Sequence, residues 1–538
     1  MQRLGLERLE ERRVLAAGFL ETFGGAGGEH QYETQAMDPA GNFYQSGGFA
    51  QTAYFGPISS PSSLSSAGGS DAFVVKYSPD GSLAPSFVPR SFGSSGTEEI
   101  LASAYASEAG AGYLYVAGTF EGSVNFGTAL APITLTSAGG ADVFIAKLDA
   151  VTGATIFAKR IGSTTGNEAV RNLAVANNQV FVAGYFDKTL DFDPGPGTVS
   201  RTPVGNGKNL SSDGYILQLN SAGAYVSVYQ IGGSASDSVT SVVTEETSAS
   251  VTTVYVHGSV GGTVDLDPGP GIKNAIGTFI AKYSLSTTSP NWSPDWVDSL
   301  GVLGSTPRST VTDANSLYFL GAFQGTKDFD PGVGTVNLTS AGGNDGFLAK
   351  YNKSDGALVW AKKYGGTGNN DISESAIVVQ DTLYLSLRTT TGSLDFNPGL
   401  PGGEVTSNAS QYSVLLKLDA ITGAYQNVWQ MAGTSSADLL HGHVVGSVGT
   451  LVYVSGFFQG MANFPIGGSK TSAGGLDVFL MALDTAPPLA RALATTSTGA
   501  GSADSISVES SSVDDALSSL HYDYLDDLVV TFKRKKGT

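Results

Sequence analysis

The feature that most constrains this chain is self-similarity at a fixed spacing. The segment Asp142-Val143-Phe144-Ile145-Ala146-Lys147 has counterparts starting at Asp71, Asp213, Gly277, Asp345, Tyr412 and Asp477. Successive copies stand roughly 64 to 71 residues apart, a spacing that marks an array or a propeller. Each period holds about four strand-like runs. In the third, Asn172–Ala176 turns at Asn177-Asn178 into Val180–Phe186. A Gly/Pro-rich loop then leads to Tyr215–Leu219, and Ser221-Ala222-Gly223 turns into Tyr225–Ile231. Short runs separated by Gly, Pro, Asn and Asp are the all-β pattern.

A sheet of four antiparallel strands cannot bury both faces alone. Stacked radially, each sheet covers the next and only short edges remain exposed. Seven copies predict an all-β, seven-bladed β-propeller with four antiparallel strands per blade. The last copy ends at Leu483-Asp484 without a fourth strand. The missing strand lies at the other end, where Phe19–Gly25 matches Phe157–Gly162 and Trp360–Gly366. The N-terminal strand is therefore expected to pair with Val478–Leu483 and close the ring.

The domain reading is an N-terminal arm (1–17) of export or disordered type, a propeller (18–485), an Ala/Ser/Thr/Gly-rich linker (486–512) and a C-terminal segment (513–538) that reads either as a short amphipathic helix with a basic end or as a disordered tail. A net charge of −19 argues against nucleic-acid binding. With no cysteine, disulfides, thiolate metal sites and cysteine nucleophiles are excluded. No stretch is long and apolar enough for a transmembrane helix.

Four sets of residues are candidates for function. In the recurrent loop Asp-Phe-Asp-Pro-Gly, the pairs Asp191/Asp193, Asp265/Asp267, Asp328/Asp330 and Asp395/Asn397 offer hard oxygens to calcium. The same residues make Asx turns ahead of Pro-Gly. A second set (Glu29, Glu98, Glu168, Asp237, Asp371 and Asp438) precedes the first strand of six periods. These acids could ring one mouth of a central channel or cap their own turns. The Asp of the Gly-Gly-x-Asp turn (Asp71, Asp142, Asp213, Asp345, Asp477) reads as structural because it recurs. Chemistry is better sought among residues that do not recur. His441 and His443 share a strand face, and Arg171 and Glu374 occupy the His441 register in other periods, making a mixed polar cluster. A His-x-His pair can hold zinc or copper given further ligands. No nucleophile elbow, zinc-protease motif or phosphate-binding glycine loop is present, so no catalytic residue is assigned.

Two resemblances add to this reading. Asp38-x-x-Gly41-Asn42-Phe43-Tyr44, Gly342-Gly343-x-Asp345-x-Phe347-x-x-Lys350-Tyr351 and Asp355–Trp360 resemble the bacterial SBBP-type propeller repeat over roughly residues 18–485. Leu9-Glu10-x-Arg12 and Val14-Leu15-Ala16-Ala17 resemble the LEPR-XLL segment of planctomycete surface and secreted proteins, although Glu11 departs from that pattern. The second resemblance implies an extracellular or cell-surface location. Leu148–Ala154 and Leu418–Ala424 also look like the blade motif of quinoprotein dehydrogenases. Those propellers usually have eight blades, and many carry a vicinal cysteine pair; this chain has neither feature.

The expectation is a non-catalytic, monomeric binding or scaffolding module for protein or glycan. The alternatives are a metal-dependent enzyme acting at the channel and an adhesion protein stabilised by calcium.

Overall fold

The computed structural model describes residues 18–24, 34–56, 62–166, 168–205, 211–288, 290–304, 307–367, 371–397 and 403–485. The arm (1–17), Glu29, the linker (486–512) and the C-terminal segment (513–538) lie outside the described residues. The chain divides into two units. One is Gly18–Val448 with Val452–Leu483; the other is Met1–Ala17, Gly449–Leu451 and Asp484–Thr538. Among the described residues every regular element is a strand.

The first unit is built from strand quartets, mostly paired in chain order. The first sheet is Thr34–Met37, Phe43–Phe55, Ser62–Tyr77 and Arg90–Phe92. The second is Glu99–Glu108, Ala111–Phe120, Asp142–Asp149 and Thr155–Ile161. The third is Ala169–Ala176, Gln179–Phe186, Asp213–Asn220 and Tyr225–Ile231. The fourth is Ser238–Ser248, Val251–Asp265, Asn274–Ser286 and Pro294–Gly301. The fifth is Ser309–Thr312, Ser316–Phe323, Asp345–Asn352 and Leu358–Tyr364.

A sixth quartet (Ile372–Val379, Thr382–Asp395, Glu404–Asp419, Tyr425–Gly433) joins a seventh in one ten-stranded sheet. The link is a single parallel bridge, Gln411 to Leu439, and the strand Met461–Asn463 alongside Tyr425–Gly433. The seventh quartet is Leu439–Val448, Leu451–Gln459, Asp477–Asp484 and, from the far end of the chain, Phe19–Phe23. Phe19 lies opposite Ala482 and Phe23 opposite Val478, in antiparallel register.

Apolar burial explains why the sheets need one another. Third strands such as Asp142–Asp149 are buried on both faces along almost their whole length, which a solitary sheet in water cannot achieve. One core cluster joins Tyr44 and Val74 of the first sheet to Leu114 and Phe144 of the second. Similar clusters join each later pair through to the sixth and seventh. First strands touch the first strands of the next sheet throughout, and Thr34–Met37 also touches Leu439–Val448. The result is a propeller-like, antiparallel all-β arrangement.

Two recurrent polar contacts fasten sheet to sheet and strand to strand. A second-strand tyrosine donates its hydroxyl to a hairpin carbonyl of the following sheet. Tyr44 reaches Ala150 (2.9 Å), Tyr318 reaches Ala420 (3.2 Å) and Tyr453 reaches back to Pro79 of the first sheet (2.9 Å). Lys76 and Lys350 donate to the same carbonyls of Ala150 and Ala420 at 2.9 and 2.8 Å. Within a sheet, the aspartate that opens the third strand accepts an amide from four residues upstream, as Ala138 gives to Asp142 (2.8 Å). Its carboxylate lies flat against the glycine ending the fourth strand. A Cβ on Gly162 would stand 2.0 Å from the Asp142 carboxyl carbon, and one on Gly24 2.1 Å from an Asp477 oxygen.

The expected four-strand blade is an underestimate at its outer edge. In the second, third, fifth and seventh sheets a short two-stranded hairpin continues beyond the second and third strands, for example Thr326–Asp328 with Asn337–Thr339. In the first, fourth and sixth sheets the long strands themselves run on. Ser62–Ser66 therefore belongs to the strand Ser62–Tyr77, with Ser62–Ser65 pairing to Thr52–Phe55.

The glycine contact yields a test. Gly162→Ala and Gly24→Ala are each expected to cost about 1–3 kcal/mol of stability, the usual penalty for overpacking a filled site. Gly140→Ala, with nothing within 4 Å of the added carbon, should stay within about 0.5 kcal/mol of the parent. Urea unfolding would measure all three. A Gly24→Ala protein as stable as the parent would mean that Phe19–Phe23 is not integral to the seventh sheet.

Candidate functional site

Most of the recurrent acids among the described residues are engaged in hydrogen bonds of the fold; both carboxylate oxygens of Glu168 are buried without such a partner. In three of the four Asp-Phe-Asp-Pro-Gly-type loops the first aspartate accepts two backbone amides. Asp328 Oδ1 takes those of Asp330 (3.0 Å) and Val336 (2.8 Å), and Asp191 takes those of Asp193 (3.1 Å) and Val199 (2.7 Å). Asp265 repeats the pattern with Asp267 and Lys273. Asp395 accepts from Asn397, and Asp193, Asp267 and Asp330 each accept from the glycine two residues on. The residue between each pair (Phe192, Leu266, Phe329, Phe396) is buried. The motif thus makes an Asx-type turn at a hairpin tip and seats an apolar side chain beneath it. Among the described residues, no group of three or more His, Cys, Asp and Glu side chains is placed to hold a metal ion.

The acids preceding the first strands occupy equivalent loops and are buried. Glu98 accepts from the Ser94 amide (2.7 Å), Asp237 from Gly233 (2.6 Å), Asp371 from Gly366 (2.9 Å) and Asp438 from Thr434 (2.8 Å). A second oxygen of Asp237 and of Asp438 accepts from Gly261 (2.8 Å) and Met461 (3.3 Å) of the same sheet. Burial pushes the carboxyls of Glu98, Glu168, Asp237 and Asp371 above their ordinary range.

Three residues beyond these acids stand Leu101, Arg171, Thr240, Glu374 and His441, no two of the same type. The first four sit at β-bulges in their first strands, where the partner strand skips a residue. A bulge leaves its extra residue out of the ladder and re-aims the side chain. Leu101, Arg171, Glu374, His441 and His443 line one cavity of about 540 Å³ with Arg308 and Arg388. Arg171 and Arg308 also line an adjoining cavity of about 520 Å³, where Thr240, Ser238 and Ser259 present hydroxyls.

Glu374 is the hub of this site. It is 6% exposed, so its charge needs partners. Arg388 Nε donates to Oε1 at 2.8 Å, His441 Nε2 stands 3.2 Å from the same oxygen, and Arg308 Nε lies 3.5 Å from Oε2. Burial alone would raise its pKa, but the hydrogen bond and charge of His441, with Arg308, hold it well below the usual carboxylate range. The His441 and His443 rings are 4.6 Å apart. Burial, then the charge on His441, pushes His443 down to about 3. Arg171 lies over the Tyr185 ring, 5.3 Å from its centre.

The structure therefore brings Arg171, Glu374, His441 and His443 together, as their shared register implies. Sequence reasoning missed Arg388, a second-strand residue, and Arg308, neither of which falls in any of the four sets. His257, another non-recurring histidine, is a core residue, with Nδ1 2.6 Å from the Thr310 hydroxyl and its ring edge-on to Phe319.

No protein-family model and no curated protein matches the chain. Among solved structures, it is similar to a quinohemoprotein alcohol dehydrogenase from Comamonas testosteroni at 9% identity and a TM-score of 0.39, over 88% of this chain and 77% of that one. It is also similar to Sqt1 from Chaetomium thermophilum at 10% identity and a TM-score of 0.35, over 87% of this chain and all of that one.

Two tests follow from this geometry. Asp328→Ala removes the acceptor of two amides and is expected to cost about 1–3 kcal/mol, by the same amount with chelator or with added calcium. A calcium-dependent rise in the parent's melting temperature that Asp328→Ala abolishes would assign an ion to the loop. The second concerns acid. Unfolded, His443 takes up a proton near 6.5; folded, only near 3. The stability linked to its neutral form is complete above about 6.5 and falls as the pH drops toward 3, by at most about 1.4 kcal/mol per pH unit. Glu374, depressed in the fold, adds loss in the same direction below the ordinary carboxylate range. His443→Gln should therefore flatten the acid limb of a stability–pH curve. Parallel curves for variant and parent would refute a histidine held neutral by the fold.

Proposed function

We propose that residues 18–485 form a seven-bladed β-propeller closed by its N-terminal strand. It acts as a non-catalytic binding module for a protein or glycan, with the ligand at one mouth of the central channel. Three contacts support closure. Phe19–Phe23 pairs with Asp477–Asp484 as each other fourth strand pairs with its third. Gly24 meets Asp477 as Gly162 meets Asp142. Tyr453 reaches Pro79 as Tyr44 reaches Ala150.

One observation carries the functional reading. Apart from Glu168, the recurrent acids among the described residues are occupied with turns and strand ends, whereas the bulge position, whose chemistry changes from sheet to sheet, faces the paired cavities. A repeat protein gains a specific site where its copies differ, because identical side chains around a ring cannot distinguish one end of a ligand from the other. Glu374 contacts two arginines and a histidine, which suits a preorganised binding surface better than a general base. The resemblance of Leu9–Ala17 to an export-type segment supports a place at the cell surface or beyond.

The test is binding to arrays of defined glycans and purified surface proteins. Thr240→Trp, which fills the channel cavity, should abolish retention of whatever the parent binds. Val333→Asp, on an outer loop, should leave it intact. The reverse pattern would move the ligand to the blade rims and overturn this reading.

A further inference from the structure

The charge of the paired cavities runs against that of the chain. The protein carries a net −19, yet three guanidinium groups, Arg171, Arg308 and Arg388, line the larger cavity. Glu374 engages Arg308 and Arg388 through Nε. Among the described residues the terminal nitrogens of these two arginines meet no acceptor, and Arg171 has no carboxylate partner. A guanidinium presents its donors as a planar fork that matches a carboxylate. Arg171 and Arg308 line both cavities, so their forks stand where the two spaces meet.

Resting on the channel-mouth reading above, we infer that the site takes a small sugar acid of the uronate class. Its carboxylate lies on Arg171 and Arg308, and its hydroxyls face Ser238, Thr240 and Ser259. Three considerations select this class. The acidic body of the protein repels polyanions, which disfavours nucleic acids and polyphosphates and leaves a ligand of low charge. The hydroxyl-bearing wall of the smaller cavity complements a polyhydroxylated body and offers little to an apolar acid. Each cavity, at about 520 and 540 Å³, lies in the range that encloses small ligands. Glu374 is a positioning residue here. It holds Arg308 and Arg388 in place by their Nε atoms and leaves their outer nitrogens for the ligand.

Calorimetric titration of the full chain with glucuronate, galacturonate, glucose and inorganic phosphate tests the assignment. A uronate should bind at least about tenfold more tightly than glucose, and its affinity should fall as salt is raised. Arg171→Gln and Arg308→Gln should each weaken uronate binding by about tenfold to a hundredfold; the melting temperature should be unchanged in Arg171→Gln, whose side chain is exposed and has no carboxylate partner, and lower in Arg308→Gln, which takes a partner from the buried Glu374. Lys188→Gln, outside the cavities, should have no effect. Equal binding of glucose and uronate, no uronate binding, or tighter binding of phosphate would each overturn the sugar-acid assignment. The channel-mouth reading is judged separately. If Thr240→Trp abolishes retention of an array ligand while uronates fail to bind, only the sugar acid is lost.

Discussion

A four-stranded sheet with apolar residues on both faces cannot stand alone in water, and every other feature of this chain answers that constraint. The inner halves of the long strands are buried on both sides, whereas outer halves such as Glu404–Ser410 alternate exposed and buried residues. Neighbouring sheets supply the missing cover. Each fully buried phenylalanine, such as Phe144 or Phe347, contributes about 1.5–3 kcal/mol by leaving water. That gain is available only when the next sheet is in place. Tyrosine and lysine tips reaching the next hairpin's carbonyl satisfy polar groups at the seam, so that apolar cover does not strand a hydroxyl or an ammonium.

The same constraint separates residues that recur from residues that do not. A side chain needed at a seam or turn recurs from copy to copy, as do the Asp–Gly contact in five of the seven and the aspartate of the hairpin tip in four. Positions facing the paired cavities carry no such duty. There Leu101, Arg171, Thr240, Glu374 and His441 diverge, and bulges turn four of them toward the common space. A buried carboxylate under two guanidiniums and an imidazole is costly to assemble unless every partner is fixed. In this structure Arg388 and His441 come from two different strands, and Arg308 immediately precedes a third.

The all-β class, the repeat, the pairing of Phe19–Phe23 with Asp477–Asp484 and the structural duty of the repeated aspartates were legible in the residues. All of them follow from local chemistry or from comparison of one copy with another. The outer hairpins were less legible, although their cross-strand hydroxyl pairs, such as Thr326 with Thr339 and Ser123 with Thr136, are a sequence signal for them. The cluster of Arg171, Glu374, His441 and His443 was visible only as a shared register.

What the sequence determined by itself was periodic: where strands run, where they turn and which side chains every sheet requires. Only the tertiary structure decided which unlike residues meet. Arg308, at the edge of the fifth sheet, and His441, from the seventh, join Glu374 and Arg388, which share the sixth, because neighbouring sheets converge there and a bulge re-aims Glu374. That convergence depends on the packing angle between sheets, which no local pattern records.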